Sequence, residues 1–200
     1  MKVLVACEES QTVCKAFRVE GHEAWSCDLQ DCSGGHPEWH IKGDVLDILD
    51  DGWDMMIAHP DCTYLTNAAN KWLYVNSSVS TVAERLVFRD IAIEFFQKLQ
   101  NAPIPRIAIE NPQPNPYVTD RVGRFTDKVQ PWMFGDPETK GVCLWLKGLP
   151  PLMSTILESK REAIKHKLPP GPERAKLRSK FFPKMAQQMA IQWGNHGFNN

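Results

Sequence analysis

The chain has 200 residues and a net charge of −1, with 42% hydrophobic and 24% charged residues. That balance suits one domain with a substantial core and excludes a chain disordered throughout. No run of about 18 apolar residues occurs, which excludes a membrane-spanning helix. Six cysteines spread through regular strand-like and helix-like stretches suit a reducing compartment better than a disulfide scaffold.

Lys2–Cys7 (KVLVAC) is a continuous apolar run of strand length, the pattern of a strand buried on both faces. Acids follow it where a cleavage site would need small residues, so it reads as a first core strand rather than a leader. A cytoplasmic location, in a bacterial or phage-infected cell, is the corresponding expectation. Gln11–Glu20 places Val13, Cys14, Ala16, Phe17 and Val19 at helical spacing, and Gly21 stops it. His22–Leu29 reads as a second strand ending in an acid. Trp39–Leu49 (WHIKGDVLDIL) reads as a short third strand ending at Gly43-Asp44, then a helical turn. Trp53–Pro60 is a fourth strand.

Thr81–Leu99 predicts a long helix with Ala83, Leu86, Val87, Ile91, Phe95 and Leu99 as its apolar stripe, closed by Pro103 and Pro105. Arg106–Pro112 is a fifth buried strand. Strands alternating with helices imply a doubly wound α/β fold with a mostly parallel, Rossmann-like sheet. VQPWMF (Val129–Phe134) and GVCLWLKG (Gly141–Gly148) read as two extended segments forming an antiparallel pair at one edge. Leu149–Pro172 holds five prolines and little periodicity. Pro183–Trp193 is a last helix with Met185, Met189 and Trp193 as its stripe, ended by Gly194. The expected organisation is a core over residues 1–148, a loop-rich basic segment over 149–182, and a helix over 183–200 packing back on the core.

In open α/β sheets ligands bind beyond the carboxyl ends of the strands. Those ends here read Ala6-Cys7-Glu8-Glu9-Ser10, Asp28-Leu29, Asp44-Val45, His59-Pro60-Asp61-Cys62 and Glu110-Asn111-Pro112. An acid closing the second strand suits a ribose, whose hydroxyls donate to one carboxylate. Asp44 is placed to accept from the exocyclic amine of an adenine. The alternative for each acid is a helix N-cap. The first loop has neither a glycine fingerprint nor a Walker lysine, which disfavours nicotinamide, flavin and nucleoside triphosphates. S-adenosyl-L-methionine fits the remaining description, with Ala6 to Ser10, Asp28, Leu29, Asp44, Val45, His59 and Pro60 as its candidate contacts.

In order and content these stretches resemble the motifs of DNA cytosine-5 methyltransferases. LVACEES stands where that family has its first cofactor loop, Asp28 and Asp44 where it has acids after strands two and three. HPDC stands for Pro-Pro-Cys, ENP for Glu-Asn-Val, and ETKGVCLWLKG for Gln-x-Arg-x-Arg, with Lys140 at one arginine position. The resemblance covers about Lys2 to Gly148 and implies a Rossmann-like S-adenosylmethionine-dependent methyltransferase. Cys62 would add to C6 of cytosine and make C5 nucleophilic. Glu110 would bind N3 and the exocyclic amine, Asn111 would orient the base or brace the loop, and Lys140 would complete the site. The chain departs from the family in lacking Phe-x-Gly-x-Gly, so Cys7 to Ser10 would hold the methionine end differently. His59 and Asp61 replace prolines around Pro60. Too few residues follow Gly148 for a separate target-recognition domain, so a small, phage-type member is implied.

DNA containing cytosine is the implied partner. A duplex base must be flipped out to reach such a pocket, and Asn67, Asn70, Lys71 and Trp72 follow Cys62 where they would hold backbone or fill the gap. Their alternative is a helix start with Trp72 in the core. Residues 1–62 carry four basic groups against thirteen acids, whereas 160–184 carry nine against two. Arg174, Lys176, Arg178 and Lys180 make that tail a candidate phosphate clamp; a solvated surface is the alternative. A free nucleotide or a single strand is an alternative substrate, and a cofactor- or DNA-binding regulatory module an alternative to catalysis. Cys27, Cys32, His36 and His40 have zinc-ligand types, but Cys27 closes a strand and the rest sit in a loop, so no metal is expected.

Overall fold

The computed structural model describes residues 1–67, 81–156, 161–164, 169 and 180–195. Among these residues seven strands form one sheet: β1 (Lys2–Ala6), β2 (Glu23–Asp28), β3 (His40–Lys42), β4 (Met55–Ala58), β5 (Arg106–Asn111), β6 (Asp127–Val129) and β7 (Val142–Lys147). Their order is β3-β2-β1-β4-β5-β7-β6. β1 pairs in parallel with β2 and β4, β2 with β3, and β4 with β5, whereas β7 runs antiparallel to both β5 and β6. This is the expected Rossmann-like, mostly parallel sheet with an antiparallel edge pair. The order reverses between β1 and β4, which opens the crevice where ligands bind in such sheets.

Among the described residues four helices cover the two faces: α1 (Thr12–Val19), α2 (Val82–Gln100), α3 (Pro116–Val122) and α4 (Pro183–Gly194). On one face Val3, Val5, Met55 and Ile57 pack against Phe17 of α1 and Met185, Met189 and Trp193 of α4. On the other, Leu4, Met56 and Ile109 pack against Ile93, Phe96 and Leu99 of α2 and Val118 of α3. Both faces are covered, so the strands read as unbroken apolar runs instead of alternating. Trp193 is fully buried, and its Nε1 donates to the Pro150 carbonyl at 3.0 Å, so the polar edge of the ring is satisfied.

Three local expectations are corrected. The stripe assigned to the long helix is only partly in phase: Leu99 is in the core and Phe95 packs against it as expected, but Val87 and Ile91 are 58% and 55% exposed, and Ile93 and Phe96 face the core in their place. Apolar residues lie on two faces of α2, so periodicity alone did not fix which one packs. Thr81 caps this helix, with Glu84 returning the bond to the Thr81 amide. Val19 ends α1 facing solvent, 80% exposed. In VQPWMF only Val129 is in a strand, and Pro131–Phe134 is a 3-10 turn.

α3 was not anticipated, although its start is marked: Pro116 follows Asn115, whose side chain accepts from the Val118 amide at 3.0 Å. It is clasped to α2 through Tyr117. The Arg89 and Arg121 guanidinium carbons lie 3.4 and 3.3 Å from the Tyr117 ring centroid, and the Tyr117 hydroxyl donates to Asp90 at 3.1 Å.

Candidate active site

A cavity of about 690 Å³ opens at the carboxyl ends of β1, β2, β3 and β4. Cys7, Glu8, Glu9, Ser10, Asp28, Leu29, Asp44, Val45, His59 and Pro60 all line it, as does Asp61. Ala6 does not: it is fully buried in the core at the end of β1. Asp28 accepts from the Gln30 amide at 2.9 Å and Asp44 from the Leu46 amide at 3.0 Å. The N-cap alternative therefore describes what one oxygen of Asp44 does. A carboxylate has further acceptor sites, so both acids also present acceptors to the cavity.

The first loop solves a problem that glycines solve elsewhere. α1 has no side-chain cap at Gln11; instead Glu8 reaches back, accepting from the Val13 amide at 2.7 Å and the Cys14 amide at 3.1 Å. The N-terminus of α1, otherwise a ready anion site, is thus filled by the protein's own carboxylate. Burial pushes the Glu8 carboxyl up, while His59 and the amides pull it down. Cys7 and Gln11 adopt left-handed backbone (φ 59° and 57°) to make this turn. Buried Gln11 then holds the next loop: its Nε2 donates to the His36 carbonyl at 2.7 Å and its Oε1 accepts from the His36 amide at 3.1 Å. Ser33 bonds Glu9 in the same loop.

The zinc-type quartet is dispersed. Cys27 faces the Gly43 carbonyl, Cys32 faces Gln11, His36 stacks on Trp39, and His40 bonds Ser26 and the Gln30 carbonyl. Among the described residues no three His, Cys, Asp or Glu side chains converge.

Beside the cavity the loop after β4 is pinned on several sides. Asn111 Nδ2 donates to the Pro60 carbonyl at 2.8 Å, and Asp61 accepts from the Thr63 amide and hydroxyl at 2.9 and 2.6 Å. Thr66 bridges Pro114, and the Asn67 amide donates to the Gln113 carbonyl at 3.1 Å. Half-buried Cys62 is held within this turn. Parallel pairing sets Ala58 against Ile109, so the next residues, His59 and Glu110, are also neighbours: His59 Nδ1 lies 3.2 Å from Glu110 Oε2. Because β7 runs antiparallel, its amino end reaches the same rim and brings Lys140 there. Burial raises the Cys62 thiol above its ordinary range, the Lys140 ammonium pulls it down, and Asp61 and Glu110 push it further up. Cys7 and Cys27 are pushed up to about 12 and about 11, by burial first and then by surrounding carboxylates, with no cation opposing them. Cys143, paired with Asn111, also has a lysine, Lys128, pulling its thiol down, but it is fully buried in the sheet, whereas Cys62 is half-buried in the loop.

Sequence reasoning missed the opposite wall. Tyr64 and the α2 residues Phe88, Ile91, Ala92 and Phe95 line the cavity, as does Phe181, whose ring packs 4.7 Å from that of His59. The surplus apolar face of α2 was the available signal. Lys180, expected at a phosphate backbone, lines the cavity. Asn70, Lys71, Trp72, Arg174, Lys176 and Arg178 lie outside the described residues.

No helix is long and apolar enough to cross a membrane among the described residues. No protein-family model and no curated protein matches the sequence. Among solved structures the chain is similar to a DNA modification methyltransferase encoded within a prophage of E. coli, at 12% identity and a TM-score of 0.48, covering 84% of this chain and 55% of that one. It is also similar to a mutant of Spodoptera frugiperda DNMT2, at 12% identity and a TM-score of 0.42, covering 80% of this chain and 53% of that one. The chain spans little more than half the length of each.

Proposed function

We propose that this protein transfers a methyl group from S-adenosyl-L-methionine to C5 of cytosine in DNA, using Cys62 as a covalent nucleophile. The observation that carries the reading is the meeting of Cys62, Glu110, Asn111 and Lys140 at one rim, beside a cavity lined by Asp28 and Asp44. The cavity's size and chemistry fit the donor: acceptors at the ends of two neighbouring strands for the nucleoside, and apolar side chains for the adenine. Its volume lies in the range of about 300–1,000 Å³ usual for small-molecule sites. Glu8 closes the helix terminus that would hold a phosphate, which favours a donor without one.

When bound, the donor supplies an electrophilic methyl on a sulfonium. Asp28 holds the ribose, and Asp44 with Val45 the adenine. Cys62 gives its proton to solvent and adds as thiolate to C6, forming a C–S bond while N3 takes up a proton at Glu110. Asn111 braces Pro60 so that the thiol keeps its place, and Lys140 stabilises the thiolate. After transfer, a base removes the C5 proton, the C–S bond breaks, the thiolate leaves and N3 returns its proton to Glu110. DNA carrying 5-fluorocytosine tests this, because fluorine blocks that last deprotonation. Wild-type protein with donor should form a denaturation-resistant adduct, and Cys62→Ser should form none while binding donor as wild type does. No adduct with wild-type protein, or full turnover by Cys62→Ser, refutes the nucleophile.

A further inference from the structure

His59 stands where two parts of the rim meet. It lines the donor cavity, which Glu110 does not, yet its Nδ1 lies 3.2 Å from Glu110 Oε2. The two side chains are 12% and 10% exposed, so the contact is shielded from water and geometrically restrained. Phe181 packs against the imidazole ring at 4.7 Å, and the backbone amide of His59 donates to the Ala6 carbonyl at 3.0 Å, which fixes the residue from β1. The other ring nitrogen, Nε2, is buried and has no hydrogen-bond partner among the described residues. Leaving a buried polar atom without a partner is unfavourable, so an arrangement that retains one points to a partner that arrives from outside. Asp28 and Asp44 take the nucleoside over β2 and β3, which leaves the β1 and β4 side of the cavity, where His59 sits, for the amino-acid end of the donor.

We propose that His59 is a positioning residue that links donor binding to Glu110, holding the Glu110 carboxylate through Nδ1 and accepting the amino-acid end of the donor at Nε2. This rests on the reading of Glu110 as the group that meets the cytosine ring. An occupied donor site would then fix the imidazole, and the imidazole would fix the carboxylate before the base enters.

The two nitrogens can be replaced one at a time. His59→Asn carries an amide nitrogen near the Nδ1 position and nothing at Nε2, whereas His59→Gln reaches the Nε2 position and leaves Glu110 without that bond. Donor affinity is read by calorimetry with S-adenosylmethionine in the absence of DNA, and kcat at saturating donor and DNA. His59→Asn should bind donor about tenfold more weakly, the effect of one lost hydrogen bond, while keeping kcat within about threefold. His59→Gln should bind donor like wild type and lose at least about tenfold in kcat. Equal losses by both variants in both measurements mean a merely structural histidine and overturn the proposal, as does wild-type behaviour of both. The donor-binding measurement needs no turnover, so it still decides the Nε2 contact if the adduct experiment fails for wild-type protein and removes the cytosine reading. The melting temperature of each variant confirms that it is folded; if one is not, the other measured against wild type still supports or overturns the contact it removes.

Discussion

Replacing Glu8 with alanine removes the acceptor of two amides at the start of α1, those of Val13 at 2.7 Å and Cys14 at 3.1 Å. Both residues are 0% exposed, so water has no route to replace the carboxylate. Each buried donor left unpaired costs about 1–3 kcal/mol, which gives ~2–6 kcal/mol for the pair. Loss of an exposed helix cap, about 0.5–2 kcal/mol, marks the floor, because there water does replace the lost acceptor. At this chain length one kcal/mol moves the melting temperature by about 2–4 °C, so Glu8→Ala should melt roughly 4–24 °C below wild type. Glu8→Gln keeps a carbonyl oxygen for one amide but turns an NH2 toward the other, and should fall between the two. Differential scanning calorimetry gives the midpoints, and donor titration at a temperature where all three are folded gives the affinities. If Glu8→Ala melts with wild type but loses donor binding, the carboxylate is a ligand contact rather than a cap, and the account of the first loop is wrong.

The other predictions concern the rim and the tail. Because burial holds the Cys62 thiol above its ordinary range, the reactive thiolate is the minor form at neutral pH. Turnover at saturating substrates should therefore rise with pH, by about tenfold per unit while the thiol remains mostly protonated. Lys140→Met removes the cation that pulls this thiol down and should move the rising limb to higher pH, whereas Lys140→Arg should leave it near wild type; coincident profiles for Met and wild type would remove Lys140 from the site. Asp28→Ala should weaken donor binding by about 1–3 kcal/mol, the scale of a hydrogen bond to a charged group, and unchanged calorimetric affinity would separate Asp28 from the ribose. Neutralising Arg174, Lys176, Arg178 and Lys180 together should flatten the salt dependence of DNA binding by up to about four phosphate contacts, each worth about 0.7–0.9 in the log–log slope. An unchanged slope would end the phosphate-clamp reading.

The strands and most helices were legible because their signals are local. A run such as Met55–Ala58 is apolar at every position because both sheet faces are covered, and Thr81 with Glu84 announces a helix start within four residues. The strand-end acids and Cys62 were legible for the same reason: a strand's carboxyl end is a position in the chain as well as in space. What the chain alone left open were partners set by strand pairing. Glu110 meets His59 across 51 positions only because β4 and β5 run in parallel, side by side, in one register, and Lys140 joins them only because β7 turns antiparallel. The phase of α2 was undecided for a related reason, since one apolar face packs on the sheet and the other walls the cavity. Glu8 read as one of several polar residues in a loop until the folded turn aimed it at the amides of α1. Periodicity reports which residues want to leave water; only the closed sheet decides which of them leave it together, and which polar groups then have no partner but each other.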